Sequence, residues 1–228
     1  MVKMGEEVAR EIVERTNGMV PVFIGQDRKC FFVDEFAVLK SRQSADVEKQ
    51  ICEIGEMMRD EGALVPEVFF IGGNEFGSVR IEQRIDGEVL ALCPERVKDK
   101  AKRDAYNLEM GRRIEKLGHH IWNKFFQDLL TAVRLDIVLD TSVGDNFILA
   151  QDGIYLVDLP SKIDVTAIKD DFRFGKIFDE GDHLETRQVK KARHDMRCVL
   201  TRELRDMNTA ESLAIAGKIE ARIEATVS

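Results

Sequence analysis

The chain of 228 residues contains no apolar run near the roughly 18 residues that a helical bilayer span requires. Its first residues, Met-Val-Lys-Met-Gly-Glu-Glu, also lack the apolar centre of a secretory signal, so a cytosolic protein is expected. Cysteine is sparse, and Cys30, Cys52, Cys93 and Cys198 form no CxxC pair. That scatter argues against both a disulfide framework and a zinc site. Positive charge is in deficit, with 34 Lys and Arg against 42 Asp and Glu and a net charge of −8. A general nucleic-acid binder needs a basic surface to displace counterions, so that class is not expected. Internal repeats and low-complexity segments are missing too. What remains is 44% hydrophobic residues, enough for one large domain or two small lobes around a sizeable core.

Along the chain, strand signals give way to helical ones. A short amphipathic helix spans about Gly5 to Arg15 and ends at Asn17-Gly18, and strands are expected at Val20 to Ile24, Cys30 to Val33 and Phe36 to Leu39. Ser44 can cap a helix in which Val47, Ile51, Ile54 and Met58 share a face, stopped by Glu61-Gly62. Val68 to Ile71 and Ser78 to Gln83, joined by a glycine-rich turn, complete a five-stranded antiparallel sheet with one main helix. Arg84-Ile85-Asp86-Gly87 leads out of it. From Pro94 to about Val133, and again from about Val165, the periodicity is helical. The expected class is α+β, with an N-terminal lobe over residues 1–84 and a mostly helical C-terminal lobe over 85–228.

One hairpin interrupts the helices. Asn146 and Asp158 stand at the two ends of strands Phe147 to Ala150 and Ile154 to Val157, around the turn Gln151-Asp152-Gly153. An amide oxygen and a carboxylate at the open end of a hairpin can share a hard cation, and Mg²⁺ bridging nucleotide phosphates takes such oxygen ligands. The pattern points to phosphoryl transfer. His119 and His120 have no carboxylate partner that the sequence identifies, so surface positions are expected for them.

Three segments together resemble the protein-kinase-like superfamily, nearest to its small bacterial branches: minimal effector protein kinases, aminoglycoside phosphotransferases and lipopolysaccharide-core sugar kinases. Ala37-Val38-Leu39-Lys40 is similar to the strand carrying a phosphate-binding lysine. Glu82-Gln83-Arg84-Ile85-Asp86-Gly87-Glu88 is similar to the hinge, and Asn146 through Asp158 to the metal-binding segment. The resemblance implies a two-lobed fold binding ATP and Mg²⁺, with Lys40 on the phosphates and Asn146 and Asp158 on the metal. It also implies a helix carboxylate paired with Lys40. Of Glu48, Glu53 and Glu56, the helical wheel favours Glu53, since Glu56 points away from the apolar face and Glu48 is accounted for by the helix dipole. The Glu82 carbonyl and Arg84 amide would face the adenine edge. Gly25, in Gly25-Gln26-Asp27-Arg28-Lys29, is the one glycine of the expected phosphate loop.

The acceptor side departs from the family. Its catalytic aspartate lies five residues before the metal-binding asparagine, and that position here is Thr141. Asp140 stands one residue early and reaches the site if the loop bulges, with Asp136 and Asp145 as substitutes. The reading is an ATP- and Mg²⁺-dependent phosphotransferase acting on a hydroxyl. A protein acceptor, as for an effector delivered to a host cytosol, stands slightly ahead of an aminoglycoside or sugar. The alternative is a nucleotide-binding pseudokinase that serves as a binding module.

Overall fold

The computed structural model of the chain describes residues 4–24, 28–74, 77–90, 99–140, 146–160 and 181–226. Gly25, Thr141, Asp145 and Lys162 lie outside the described residues.

Helix α1 (Glu6–Arg15) carries Glu6 and Glu7 in its first turn and Arg15 in its last, matching the helix dipole at both ends. It lays Ala9 and Ile12 onto a sheet of β1 (Phe23–Ile24), β2 (Arg28–Val33), β3 (Phe36–Ser41), β4 (Val68–Asn74) and β5 (Gly77–Gln83). The strand order is β1-β2-β3-β5-β4, antiparallel throughout, with β1 a two-residue edge. Helix α2 (Ala45–Asp60) starts where the Ser44 side chain accepts the Val47 amide, and it ends at Gly62, whose φ of +87° suits glycine. The α2 face turned inward holds Glu48, Ile51, Cys52, Ile54, Gly55 and Met58.

The chain leaves the large sheet at Arg84 and forms a short strand that the sequence pattern does not announce. This β6 (Gly87–Val89) pairs with β7 (Phe147–Ala150), which pairs with β8 (Ile154–Leu156), giving a second, three-stranded sheet. Gly87 has no room for a side chain, because an added Cβ would lie 2.5 Å from the Leu149 carbonyl oxygen. The expected helical stretch before the hairpin divides at Gly118 into α3 (Lys100–Glu115) and α4 (His119–Arg134). After it come α5 (Leu184–Met207) and α6 (Ala210–Ala225), turned by Asn208 at φ +52° and opened by a Thr209/Ser212 capping box. No helix among the described residues is long and apolar enough to cross a membrane.

The apolar core does not divide where the chain leaves the large sheet. Ile51, Ile54 and Met58 of α2 share one cluster with Phe125 and Leu129 of α4, Phe147 of β7 and Ile219 of α6. Residue 64 fastens these parts together. The Leu64 amide donates to the buried Asp128 carboxylate of α4 at 3.1 Å, and its carbonyl accepts from the Leu156 amide of β8 at 2.9 Å. Through these links the hairpin is held at a fixed distance from the inner face of the large sheet.

Candidate active-site cleft

Between the large sheet and the hairpin lies a cleft of about 420 Å³. Its middle is apolar: Phe32, Ala37 and Leu39 face it from β2 and β3, with Ile85, Val89 and Ile148 on the opposite wall. A flat aromatic ligand fits between two such walls. Arg28, Asn146 and Asp158 line the cleft as one polar group, and Glu82, Gln83 and Glu88 line it as well.

The hairpin brings Asn146 and Asp158 together as its strand pattern implies. The Val157 amide donates to the Asn146 carbonyl at 2.9 Å, closing the open end. Asn146 Nδ2 donates to the Asp140 carbonyl at 2.9 Å, which orients the amide with its oxygen on the other side. The Asp158 side chain is 52% exposed. An amide oxygen and an accessible carboxylate, completed by water and phosphate oxygens, suit the octahedral shell of Mg²⁺. Among the described residues no group of three or more His, Cys, Asp or Glu is assembled for a metal. Asp140 is exposed next to this end of the hairpin, tied to Asn146 through its backbone.

The ion-pair system of the cleft differs from the expected one. Ala37 and Leu39 of β3 face the cleft, so alternation turns Lys40 to the other face. There its Nζ sits 5.5 Å from the centre of the Phe31 ring, in the layer under α1. Lys40 is therefore not a cleft residue. Glu53 is exposed on α2, and the buried carboxylate of that helix is Glu48, with no accessible surface. Glu48 Oε2 accepts from Arg80 Nη1 of β5 at 2.8 Å, and Glu48 Oε1 is 3.3 Å from Arg28 Nε of β2. Arg28 Nη1 in turn donates to Asp158 Oδ1 at 2.5 Å. The helix carboxylate thus exists, five residues before Glu53, and its partners are arginines on β2 and β5.

Glu82 and Arg84 also change roles. Glu82 lies within β5, paired with Ala37 on one side and Val68 on the other, so its backbone belongs to the ladder. The Arg84 amide donates to the Glu35 carbonyl at 3.0 Å, and its guanidinium stacks 4.7 Å from the centre of the Phe32 ring. Neither group presents a hinge edge. What Glu82 brings to the cleft is its side chain, 2.9 Å from Arg80 Nε.

Burial governs the titration of this cluster. For Arg80, burial favours the neutral form, but the charges of Glu82, Glu48 and Asp158 outweigh it and hold the guanidinium above the usual arginine range. Burial raises the Glu82 carboxyl in spite of Arg80 and Arg28. Cys30, which also lines the cleft, has its thiol pushed up to about 12, first by burial and then by the Glu82 charge. Such a thiol is a packing group rather than a nucleophile. Arg80 is the site residue that sequence reasoning missed, while the sequence reading sets Glu48 aside in favour of Glu53 and takes Arg28 as solvated charge in a turn. Arg28 could have been found by extending β2 two residues toward its N-terminus, which puts it in phase with Cys30 and Phe32.

No family model and no curated protein matches the chain. Among solved structures, it is similar to the proinflammatory kinase CtkA of Helicobacter pylori, with 10% identity, a TM-score of 0.38, and coverage of 90% of this chain and 91% of that one. A fructosamine-3-kinase-like protein of Haemophilus somnus 129PT aligns with 10% identity and a TM-score of 0.37, over 94% of this chain and 96% of its own. A choline/ethanolamine kinase family protein of Mesorhizobium loti aligns with 12% identity and a TM-score of 0.36, over 96% and 95%. At these identities and TM-scores the likenesses carry no argument, and the chemistry of the cleft is left to its own residues.

Proposed function

We propose that the chain is an ATP- and Mg²⁺-dependent phosphotransferase that moves the γ-phosphoryl group to a hydroxyl. The observation that carries this reading is one cleft whose lining joins apolar side chains of both sheets to the group Arg28, Asn146 and Asp158. The base would lie between Ala37 and Ile148, and the phosphates would extend toward that group. Asn146 and Asp158 would hold Mg²⁺, which when bound neutralises charge on the phosphates. Asp140, exposed beside Asn146, would face the acceptor hydroxyl and accept its proton. Gly25, which the sequence resemblance assigns to the phosphate loop, lies outside the described residues.

A protein hydroxyl stands ahead of a sugar or aminoglycoside as acceptor. Among the described residues, none of α5 or α6 lines the cleft. They pack instead into the helical core. The position of Lys40 favours a second reading, a nucleotide-binding module without transfer.

Incubation with Mg²⁺ and γ-labelled ATP, alone and then with lysate proteins or an aminoglycoside panel, separates these readings. Label should appear on protein. The Asp140→Ala variant should bind ATP as the parent does while transfer falls by roughly 10², the scale of losing a positioned base. Wild-type protein that binds ATP and labels nothing is the binding module.

A further inference from the structure

Building on the nucleotide reading above, we infer that Arg28 of β2 is the cation that grips the nucleotide phosphates, the task the sequence pattern gives to Lys40 of β3. Three observations converge on Arg28. Its side chain lines the cleft and is only 15% exposed. It is held on both sides, by Glu48 Oε1 at 3.3 Å from Nε and by Gln43 Oε1, which accepts from Nη2 at 3.2 Å. It also reaches the candidate metal ligand directly through Nη1 on Asp158 Oδ1.

The charge arrangement makes this contact useful rather than merely structural. Arg80 and Arg28 share Glu48, and one carboxylate cannot neutralise two guanidinium groups. Arg80 is 2% exposed and has Glu82 as a second partner, so its charge is satisfied internally. Arg28 finds its second partner in Asp158 at the cleft, where a cation can approach the half-exposed carboxylate. A guanidinium has five N–H groups, and those that Glu48, Gln43 and Asp158 leave on the two terminal nitrogens form a fork suited to phosphate oxygens. Glu48 and Arg80 are then positioning residues that act through Arg28. Lys40, on the opposite face of the sheet, takes no part.

Calorimetric titration with ATP plus Mg²⁺ and with adenosine, compared across variants, tests the assignment. Wild-type protein should prefer ATP to adenosine. Arg28→Met should lower ATP affinity by roughly tenfold to a hundredfold, the scale of a charge-assisted hydrogen bond, and leave adenosine affinity unchanged. Arg28→Gln keeps hydrogen-bonding capacity without the charge and should lose the same preference, which decides the matter if the methionine variant does not fold. Lys40→Met should keep the preference. Either Arg28 variant retaining the full ATP preference overturns the inference while the nucleotide reading stands, as does loss of the preference in a folded Lys40→Met protein. Wild-type protein that binds neither ligand overturns both.

Discussion

The two faces of the large sheet use the same strands for different work. Under α1, Phe31, Val33, Val38 and Ile81 pack against Ala9 and Ile12, and the lysine of that layer, Lys40, rests over the Phe31 ring. On the opposite face, offset by a single residue, stand Arg28, Cys30, Arg80 and Glu82, two of them tied to Glu48 of α2. The side-chain period of a strand is two, so one step along β3 separates a packing lysine from the cleft. A lysine in the sequence motif and a cation lining the cleft are separate things, and here Lys40 is the first and Arg28 the second.

The largest effect should come from breaking the inner face at its most buried point. Arg80→Met leaves Glu48 with Arg28 as its remaining partner and Glu82 without its ion pair at 2.9 Å, and breaking a buried pair by removing one partner costs about 3–5 kcal/mol. Urea unfolding at neutral pH measures it. A cost below about 1 kcal/mol would mean that the pair is replaceable by packing and that the two faces differ less than their composition suggests.

Next is the cleft end of the same network. Asp158→Asn removes the formal charge that Arg28 and a divalent cation would share, so nucleotide affinity in Mg²⁺ should drop toward the value in EDTA. The loss should be roughly tenfold to a hundredfold. Full retention of the Mg²⁺ dependence in a folded Asp158→Asn protein removes the metal from this part of the cleft. Asn146→Ala should weaken binding less, because it deletes a neutral ligand.

Much of this fold was legible because its local signals were consistent. Ser44 and Gly62 bracket α2, Gly18 follows α1, and the apolar pairs around Asp152-Gly153 mark the hairpin, so Asn146 and Asp158 could be placed at its open end. The face of Lys40 was not legible. Alternation shows only when one side of a strand is wet, and β3 packs with α1 on one side and lines the cleft on the other. Glu48 was hidden for a related reason. The buried arc of α2 includes Cys52 and Gly55, small residues that a count of large apolar positions omits, and adding them rotates the inward face toward Glu48. Strand β6 has no apolar pattern at all, since its three residues are exposed and ordered by pairing with β7.

A smaller effect should appear in the pH dependence of the inner face. The Glu82 carboxyl is raised by burial, so the folded state holds its proton more tightly than the unfolded state does. The contribution of Glu82 to stability is therefore fully present below the ordinary value of 4.5 and is lost as pH rises through the higher folded value. Relative to Glu82→Gln, the wild type should lose unfolding free energy as pH is raised above 4.5. A stability difference between the two proteins that stays constant with pH would show that Arg80 keeps this carboxylate ionised throughout.

The smallest effects should come from Lys40 and Glu53, the pair that the sequence reading places on the phosphates. Lys40→Met removes a cation from the Phe31 ring, an interaction worth about 0.5–1 kcal/mol, and the methionine refills part of the contact. Glu53→Lys changes an exposed position of α2 and should shift stability by no more than about 0.5 kcal/mol. Phosphoryl transfer should be near wild type in both. Glu48→Gln is the sharpening control on the same helix: nearly isosteric, it removes the charge shared by Arg80 and Arg28, so it should impair transfer even where the fold survives. If Glu53→Lys proves harmful and Glu48→Gln mild, α2 presents its other face to the cleft in the working protein. Lys40 would then regain its claim to the phosphates.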